Sequence, residues 1–272
     1  MSDAFLADIV AARRPRIARP VAVVVAHPDD ETLGCGALLP RVADLRIVHV
    51  TDGAPRDGAD ALRHGFPDSD TYAEARRREL TAAAAIAGHG PDRLACLGVP
   101  DQAVARAIAV VARELEPILG AVEIVLTHAV EGGHPDHDAT AFAVWAAARL
   151  VERTTGRRPA IVEMPFYRAG PDGRTWIRQS FAESDGAVTL KLTDAERRTK
   201  SAMLAAHATQ AETLASFGAA DECYRVARPF GRAAVPPSPS LYDHLSWGIS
   251  SGGVREQIVT ACEALGLDPA CP

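Results

Sequence analysis

The chain has 272 residues, 47% of them hydrophobic and 24% charged, with a formal net charge of −6. A globular chain of this composition and length buries enough surface to enclose a deep pocket without disulfides. Its acidic balance, with arginine pairs scattered at 13–14, 157–158 and 197–198, excludes the concentrated basic face that a nucleic-acid partner requires.

Five cysteines (35, 96, 223, 262 and 271) are odd in number and contain no C-x-x-C pair. That pattern fits reduced, mostly buried thiols rather than a disulfide framework or a thiolate zinc site. The first sixteen residues carry acids early and arginines late, the reverse of a signal peptide. No apolar run approaches the ~20 residues of a membrane span. The expectation is a cytoplasmic protein with neither a membrane nor a nucleic-acid partner; the oligomeric state stays open, a homo-oligomer included.

In chain order, residues 21–26 are a β-branched run that predicts a buried strand, followed by helix 32–42. Strand 46–50, helix 72–87, strand 93–97, helix 103–119, strand 123–127, helix 138–152 and strand 160–164 complete the series. Continuous apolar strands alternating with helices predict a parallel sheet covered on both faces. Right-handed crossovers make it an α/β, Rossmann-like, doubly wound fold. After about residue 165 the rhythm changes. A turn is expected at 170–173, an edge strand at 188–192 and a helix over 194–215. A proline-rich stretch at 229–239 should run extended over the surface, with a last helix within 241–266. One domain, 1–272, is expected, with a sheet core of about 20–165 and a C-terminal appendage of about 166–272.

Two clusters carry chemistry. Ala26-His27-Pro28-Asp29-Asp30-Glu31 follows the first strand, and Glu131-Gly132-Gly133-His134-Pro135-Asp136-His137-Asp138 follows the fourth. Ligands in open α/β sheets bind beyond the carboxyl ends of strands. Carboxylates in a first helical turn also satisfy the helix dipole, so helix initiation alone would account for 29–31. Two histidines bracketing an aspartate on a Gly-rich turn have no such packing rationale. Together the clusters offer imidazole nitrogen and carboxylate oxygen, the donor set of a catalytic zinc with three protein ligands and an open position. The remaining acid and imidazole are what hydrolysis needs for proton transfer.

AHPDDE with a distant HPDH resembles the PIG-L/LmbE-like family of zinc-dependent N-acetylglucosaminyl deacetylases. The resemblance spans roughly residues 20 to 220. It includes Arg76-x-x-Glu79 on an alanine-rich helix, Leu97-Gly98-Val99-Pro100-Asp101, and Lys200 through His207-Ala-Thr-Gln210. It implies His27, Asp30 and His137 as ligands of Zn2+, with other divalent transition metals open. It implies Asp29 as general base, His134 as general acid and oxyanion partner, and Asp136 tuning the charge and orientation of His134. Arg76 and Asp101 resemble positions that hold a sugar's hydroxyl or phosphate groups. The implied reaction is removal of an N-acyl group, acetyl by preference, from a small amino sugar or its conjugate by a zinc-bound water. Alternatives are an amidase for a thiol conjugate or a natural-product glycoside, or a non-catalytic metal-dependent sugar-binding protein. One departure matters: relatives that carry a loop tyrosine before HPDH have it where this chain has Glu131-Gly132-Gly133, so the oxyanion would rest on the metal and His134, or on a residue brought from elsewhere.

Other signals carry less. Gly34-Cys35-Gly36 lacks the third glycine of a dinucleotide fingerprint and suits close helix–sheet packing better. Thr51-Asp52-Gly53 is a turn or a pocket rim, and His128 a core or supporting histidine. His207 and Gln210 are candidates to close the pocket. No G-x-S-x-G or H-E-x-x-H occurs.

Overall fold

Residues 17–25 alternate between two cores: Ala22 and Val24 pack on one face of the sheet, Val21, Val23 and Val25 on the other. Both faces are covered, and each such side chain contributes roughly 1.5–3 kcal/mol relative to exposure. That is why the strand has no polar alternation. The computed structural model describes residues 2–228, 236–237, 239–245 and 247–268. Five strands run parallel: β1 (Ile17–Val25), β2 (Val42–Pro55), β3 (Leu94–Asp101), β4 (Ile124–His128) and β5 (Ala160–Met164). A hairpin pairs β6 (Tyr167–Ala169) with β7 (Trp176–Arg178) across the turn expected at 170–173. β8 (Val188–Lys191) and β9 (Asp221–Val226) extend the main sheet, β9 antiparallel to β5 and β8 antiparallel to β9. The seven-stranded order is β3-β2-β1-β4-β5-β9-β8, an α/β, mainly parallel, doubly wound sheet.

On one face lie α5 (Ile108–Gly120), α6 (Pro135–Thr155) and α9 (Ser251–Leu265). On the other lie α1 (Ser2–Val10), α2 (Asp30–Cys35), part of α4 (Ser69–Ile86) and α7 (Asp194–Ala206); the short α3 (Ala59–Arg63) packs beside β2. A four-residue helix, α8 (Ala211–Leu214), follows α7. No helix among the described residues is long and apolar enough to cross a membrane.

Three expectations are corrected. The helix at 32–42 is a six-residue helix, a turn and a 3-10 turn at Leu39–Arg41. Pro40 lacks an N–H and would remove a backbone hydrogen bond from a helix reaching residue 42; Gly34 is pressed so close to β5 that a Cβ would lie 2.9 Å from Met164 Sδ. The helix at 194–215 breaks at His207, whose side chain is drawn to Glu31. β9 was not anticipated, and it places the appendage's own strands in the central sheet. Residues 229–235 and 238 of the proline-rich stretch, and Cys271, lie outside the described residues.

β1 has β2 on one side and β4 on the other. The connections leaving β1 and β4 therefore diverge at their carboxyl ends, a topological switch point that opens a crevice. Both HPDDE and HPDH emerge there.

Candidate metal centre and active site

Asp29 adopts φ 128°, ψ −26°, a conformation that costs on the order of 1–3 kcal/mol. Its N–H is held by Glu31 Oε2 at 3.0 Å. Asp29 stands at the N-cap of α2, yet its side chain makes no capping bond. Instead Oδ2 accepts from Arg76 Nη2 at 2.9 Å. Asp29, Asp30 and Glu31 are all buried, so helix initiation does not account for them.

The next residue turns inward. Asp30 Oδ2 lies 3.3 Å from His27 Nδ1 and 3.4 Å from His137 Nε2, and those two nitrogens are 3.3 Å apart. Three tetrahedral ligands at zinc distances are separated from one another by about 3.3 Å. The donor set and its spacing fit such a metal. His27 Nε2 faces Asp101 Oδ1 at 3.0 Å and Asp136 Oδ2 at 3.5 Å, which places the ring proton on Nε2 and frees the Nδ1 lone pair. Burial opposes a charge on His27, but Asp101, Asp136 and Asp30 outweigh it and hold its pKa well above the ordinary histidine range. Burial likewise opposes ionisation of Asp30, and His137, helped by the hydrogen bond from His27, holds its carboxyl well below the usual range.

His128 also approaches Asp30, at 3.5 Å. Its Nε2, however, accepts the Ala26 N–H at 2.8 Å, so that lone pair is taken. Desolvation and the neighbouring His137 hold it neutral. It stacks on His137 with ring centroids 4.0 Å apart and supports that ring from below.

His134 caps α6: its Nδ1 accepts the Asp136 N–H at 3.1 Å. The neutral ring therefore carries its proton on Nε2. Burial, His27 and His137 press its pKa well below the ordinary value. Asp136 orients His134 through its backbone. Its carboxylate is occupied elsewhere, accepting from the N–H groups of Gln102 (2.6 Å) and Val104 (3.1 Å). This differs from the sequence expectation, in which the Asp136 carboxylate would act on His134. Asp138 Oδ1 and Oδ2 accept the Glu131 and Gly132 N–H groups, and Oδ2 also accepts the Tyr242 hydroxyl at 3.0 Å. That bonding shapes the loop before HPDH.

Arg76 and Asp101 face the protein more than the solvent. Arg76 donates to the carbonyls of Gly53 (2.5 Å) and Pro28 (2.8 Å) as well as to Asp29. Asp101 is committed to His27. Burial lifts the Asp29 carboxyl to about 6, against the downward pull of Arg76. Below the site, Glu31 bridges His49 at 2.9 Å and His207 at 3.4 Å; burial would raise its carboxyl, but the two imidazoles hold it well below the usual range. Lys200 Nζ, fully buried, bonds Leu33 O and Glu222 Oε1, each at 2.8 Å.

Residues His27, Asp29, Asp30, Arg76, Asp101, His134 and His137 all line one cavity of about 410 Å³, as does Gln210. Its outer wall is aromatic: Tyr167, Trp176, Phe217 and Trp247. Trp247 packs on His134 with centroids 4.4 Å apart. Gly133 lets the hairpin close over the site, since a Cβ there would run into the Tyr167 carbonyl. The Tyr167 ring stands 5.4 Å from His137. Burial, then Asp30, Asp101, Asp29 and Asp138, raise its phenol well above the usual range.

A family model described as PIG-L, GlcNAc-PI de-N-acetylase, matches residues 22–148. Residues 22–148 thus match a PIG-L domain. The matched stretch contains both clusters and ends within α6. No curated protein sequence matches the chain. Among solved structures, the deacetylase of the A40926 pseudoaglycone is 21% identical at a TM-score of 0.57, covering 77% of this chain and 98% of its own. The zinc-inhibited form of teicoplanin deacetylase is 14% identical (TM-score 0.54, covering 76% and 97%). The N,N'-diacetylchitobiose deacetylase of Pyrococcus horikoshii is 15% identical (TM-score 0.51, covering 83% and 92%). These likenesses establish the fold.

Glu31, His49 and the hairpin aromatics escaped the sequence reading. Glu31 was visible in HPDDE but indistinguishable from a first-turn helix acid. The aromatics belong to a segment whose approach to the site depends on the hairpin's docking.

Proposed function

We propose that the chain is a metal-dependent N-deacetylase acting on an N-acylated amino sugar conjugate. The observation that carries the reading is the equal-sided set of donors from His27, Asp30 and His137, with Asp29 and His134 lining the same cavity. The PIG-L match supports the reaction class. Zinc held by these three residues would polarise the amide carbonyl and acidify water, as it does in other hydrolases.

The remaining work falls to the chain. Asp29, ionised at neutral pH, takes the proton of the attacking water. His134, neutral with its proton on Nε2, donates a hydrogen bond to the carbonyl oxygen as charge develops there. The depressed basicity of His134 makes it a donor of hydrogen bonds rather than a store of protons. Asp29 accordingly passes the proton on to the amide nitrogen as the C–N bond breaks, releasing carboxylic acid and free amine. Tyr167, which lines the cavity with its ring 5.4 Å from that of His137, would supply a second donor to the oxyanion, from β6 rather than from the loop before HPDH. The width of the cavity and its aromatic wall favour a conjugate, such as a natural-product glycoside, over a bare monosaccharide.

Asp29→Asn tests the base. Asparagine tolerates a positive φ at this position better than alanine does. Elemental analysis should find the metal retained while turnover of N-acetylated glycosides falls at least ~10²-fold. Native turnover in the Asp29→Asn variant would refute the role.

A further inference from the structure

The cavity is lined by two guanidiniums with opposite circumstances. Arg76 is deep, paired with Asp29 and bonded to two carbonyls. Arg178, from β7, is clamped between aromatic rings, 5.4 Å from the centroid of Trp176 and 5.5 Å from that of Phe217. Its Nε is buried with no hydrogen-bond partner, and its Nη1 has only a long 3.5 Å contact to the Trp176 carbonyl. No carboxylate among the described residues pairs with it. Four of the acids lining the cavity are committed elsewhere: Asp29 to Arg76, Asp30 to His27 and His137, Asp101 to His27, and Glu212 to Arg63 at 2.7 Å; the fifth, Asp60, forms no ion pair with Arg178.

We propose that Arg178 recognises an anionic group of the substrate, a carboxylate or a phosphate, at the end of the cavity away from the metal ligands. The identity of the rest of the ligand rests on the deacetylase reading above. A guanidinium stacked between rings keeps its in-plane N–H groups free, and that planar fork matches an oxyanion. A neutral hydroxyl would satisfy Nε but leave the half-buried guanidinium without a counter-charge. Position follows from the rings. Trp176 stacks on Tyr167 with centroids 5.0 Å apart and an interplanar angle of 19°, and Tyr167 in turn stands against His137. A ligand whose acyl group reaches the metal ligands and whose anion reaches Arg178 therefore lies along this aromatic wall. Arg178 belongs to residues beyond the PIG-L match, so the anion preference is a property of this chain's appendage.

Matched probes test this: phenyl N-acetyl-β-glucosaminide, its 4-carboxyphenyl analogue, and N-acetylglucosamine 1-phosphate, each with the zinc-loaded full chain. A charge-assisted contact predicts kcat/KM about tenfold or more higher for an anionic probe than for the phenyl glycoside, expressed in KM. The carboxylate and phosphate arms distinguish the two sources of the anion. Arg178→Met should bring the ratio to about one, and Arg178→Lys should keep part of it. A wild-type ratio near one, or a ratio unchanged in Arg178→Met, would overturn the proposal. If no probe is hydrolysed, the deacetylase reading falls, and calorimetric binding of the same probes decides Arg178 separately. Arg178-dependent preference for an anionic probe supports it; equal binding, or none, overturns it.

Discussion

Replacing Arg76 with glutamine removes the cation from Asp29 and leaves a buried carboxylate facing a neutral amide. In the native chain burial raises that carboxyl and Arg76 lowers it, the balance standing at about 6. An opposite charge in contact lowers a carboxyl pKa by roughly 1–3 units, so its loss carries Asp29 to between roughly 7 and 9. A general base works ionised, so activity rises with pH through its pKa, and the acid limb of the variant moves to higher pH. A bound divalent cation lowers the limb in both proteins, which makes the displacement the observable rather than its absolute position. The assay is kcat/KM against pH with metal in excess. Arg76→Lys keeps the charge and should hold the limb within about one unit of native, a unit being about 1.4 kcal/mol of differential interaction. A glutamine variant that loses activity equally at every pH, with its limb in the native place, would refute the coupling and reduce Arg76 to a scaffold for Gly53 and Pro28.

Asp101→Asn removes the carboxylate that fixes the His27 ring and should weaken zinc affinity about 10–100-fold in chelator competition; native affinity would show that His27 is oriented by Asp136 alone. Because His27 holds a proton more tightly than an ordinary histidine in the metal-free protein, zinc binding should release protons and weaken as pH falls, seen as a buffer-dependent calorimetric enthalpy. Gly133→Ala forces a Cβ into the Tyr167 carbonyl and should cost about 3 kcal/mol, lowering Tm by roughly 5–10 °C. Lys200→Met should destabilise by about 3–5 kcal/mol by stranding Glu222, with most of it recovered in Lys200→Met/Glu222→Gln; a double variant no more stable than the single one would refute the pairing.

The parallel strands were legible because burial on both faces leaves a continuous apolar run, as in Val21–Val25. β9 was not, because its buried Glu222 reads as a surface residue until Lys200 is seen beneath it. The length of α2 was overestimated because helical periodicity in an alanine- and leucine-rich run says nothing of how closely Gly34 must approach β5. At the site, His27, Asp30 and His137 were marked by spacing, which a metal demands directly. Arg76 and Asp101 were marked too, but their partners were not. A guanidinium in a cleft serves substrate or carboxylate according to packing between α4 and the turn after β1, which no local pattern encodes.

The two antiparallel strands that close the sheet also bear on solubility during synthesis. β5 is an apolar strand whose second edge, among the described residues, is paired by β9, and residues 221–226 leave the ribosome long after 160–164. Until then β5 presents an unpaired edge of the kind that recruits other chains. Once β9 and β8 dock, the sheet ends in a four-residue strand with Thr189 and Lys191 exposed, a short charged margin that a second molecule pairs with poorly. Chains shortened before β9 should therefore aggregate rather than accumulate as soluble, metal-free domains.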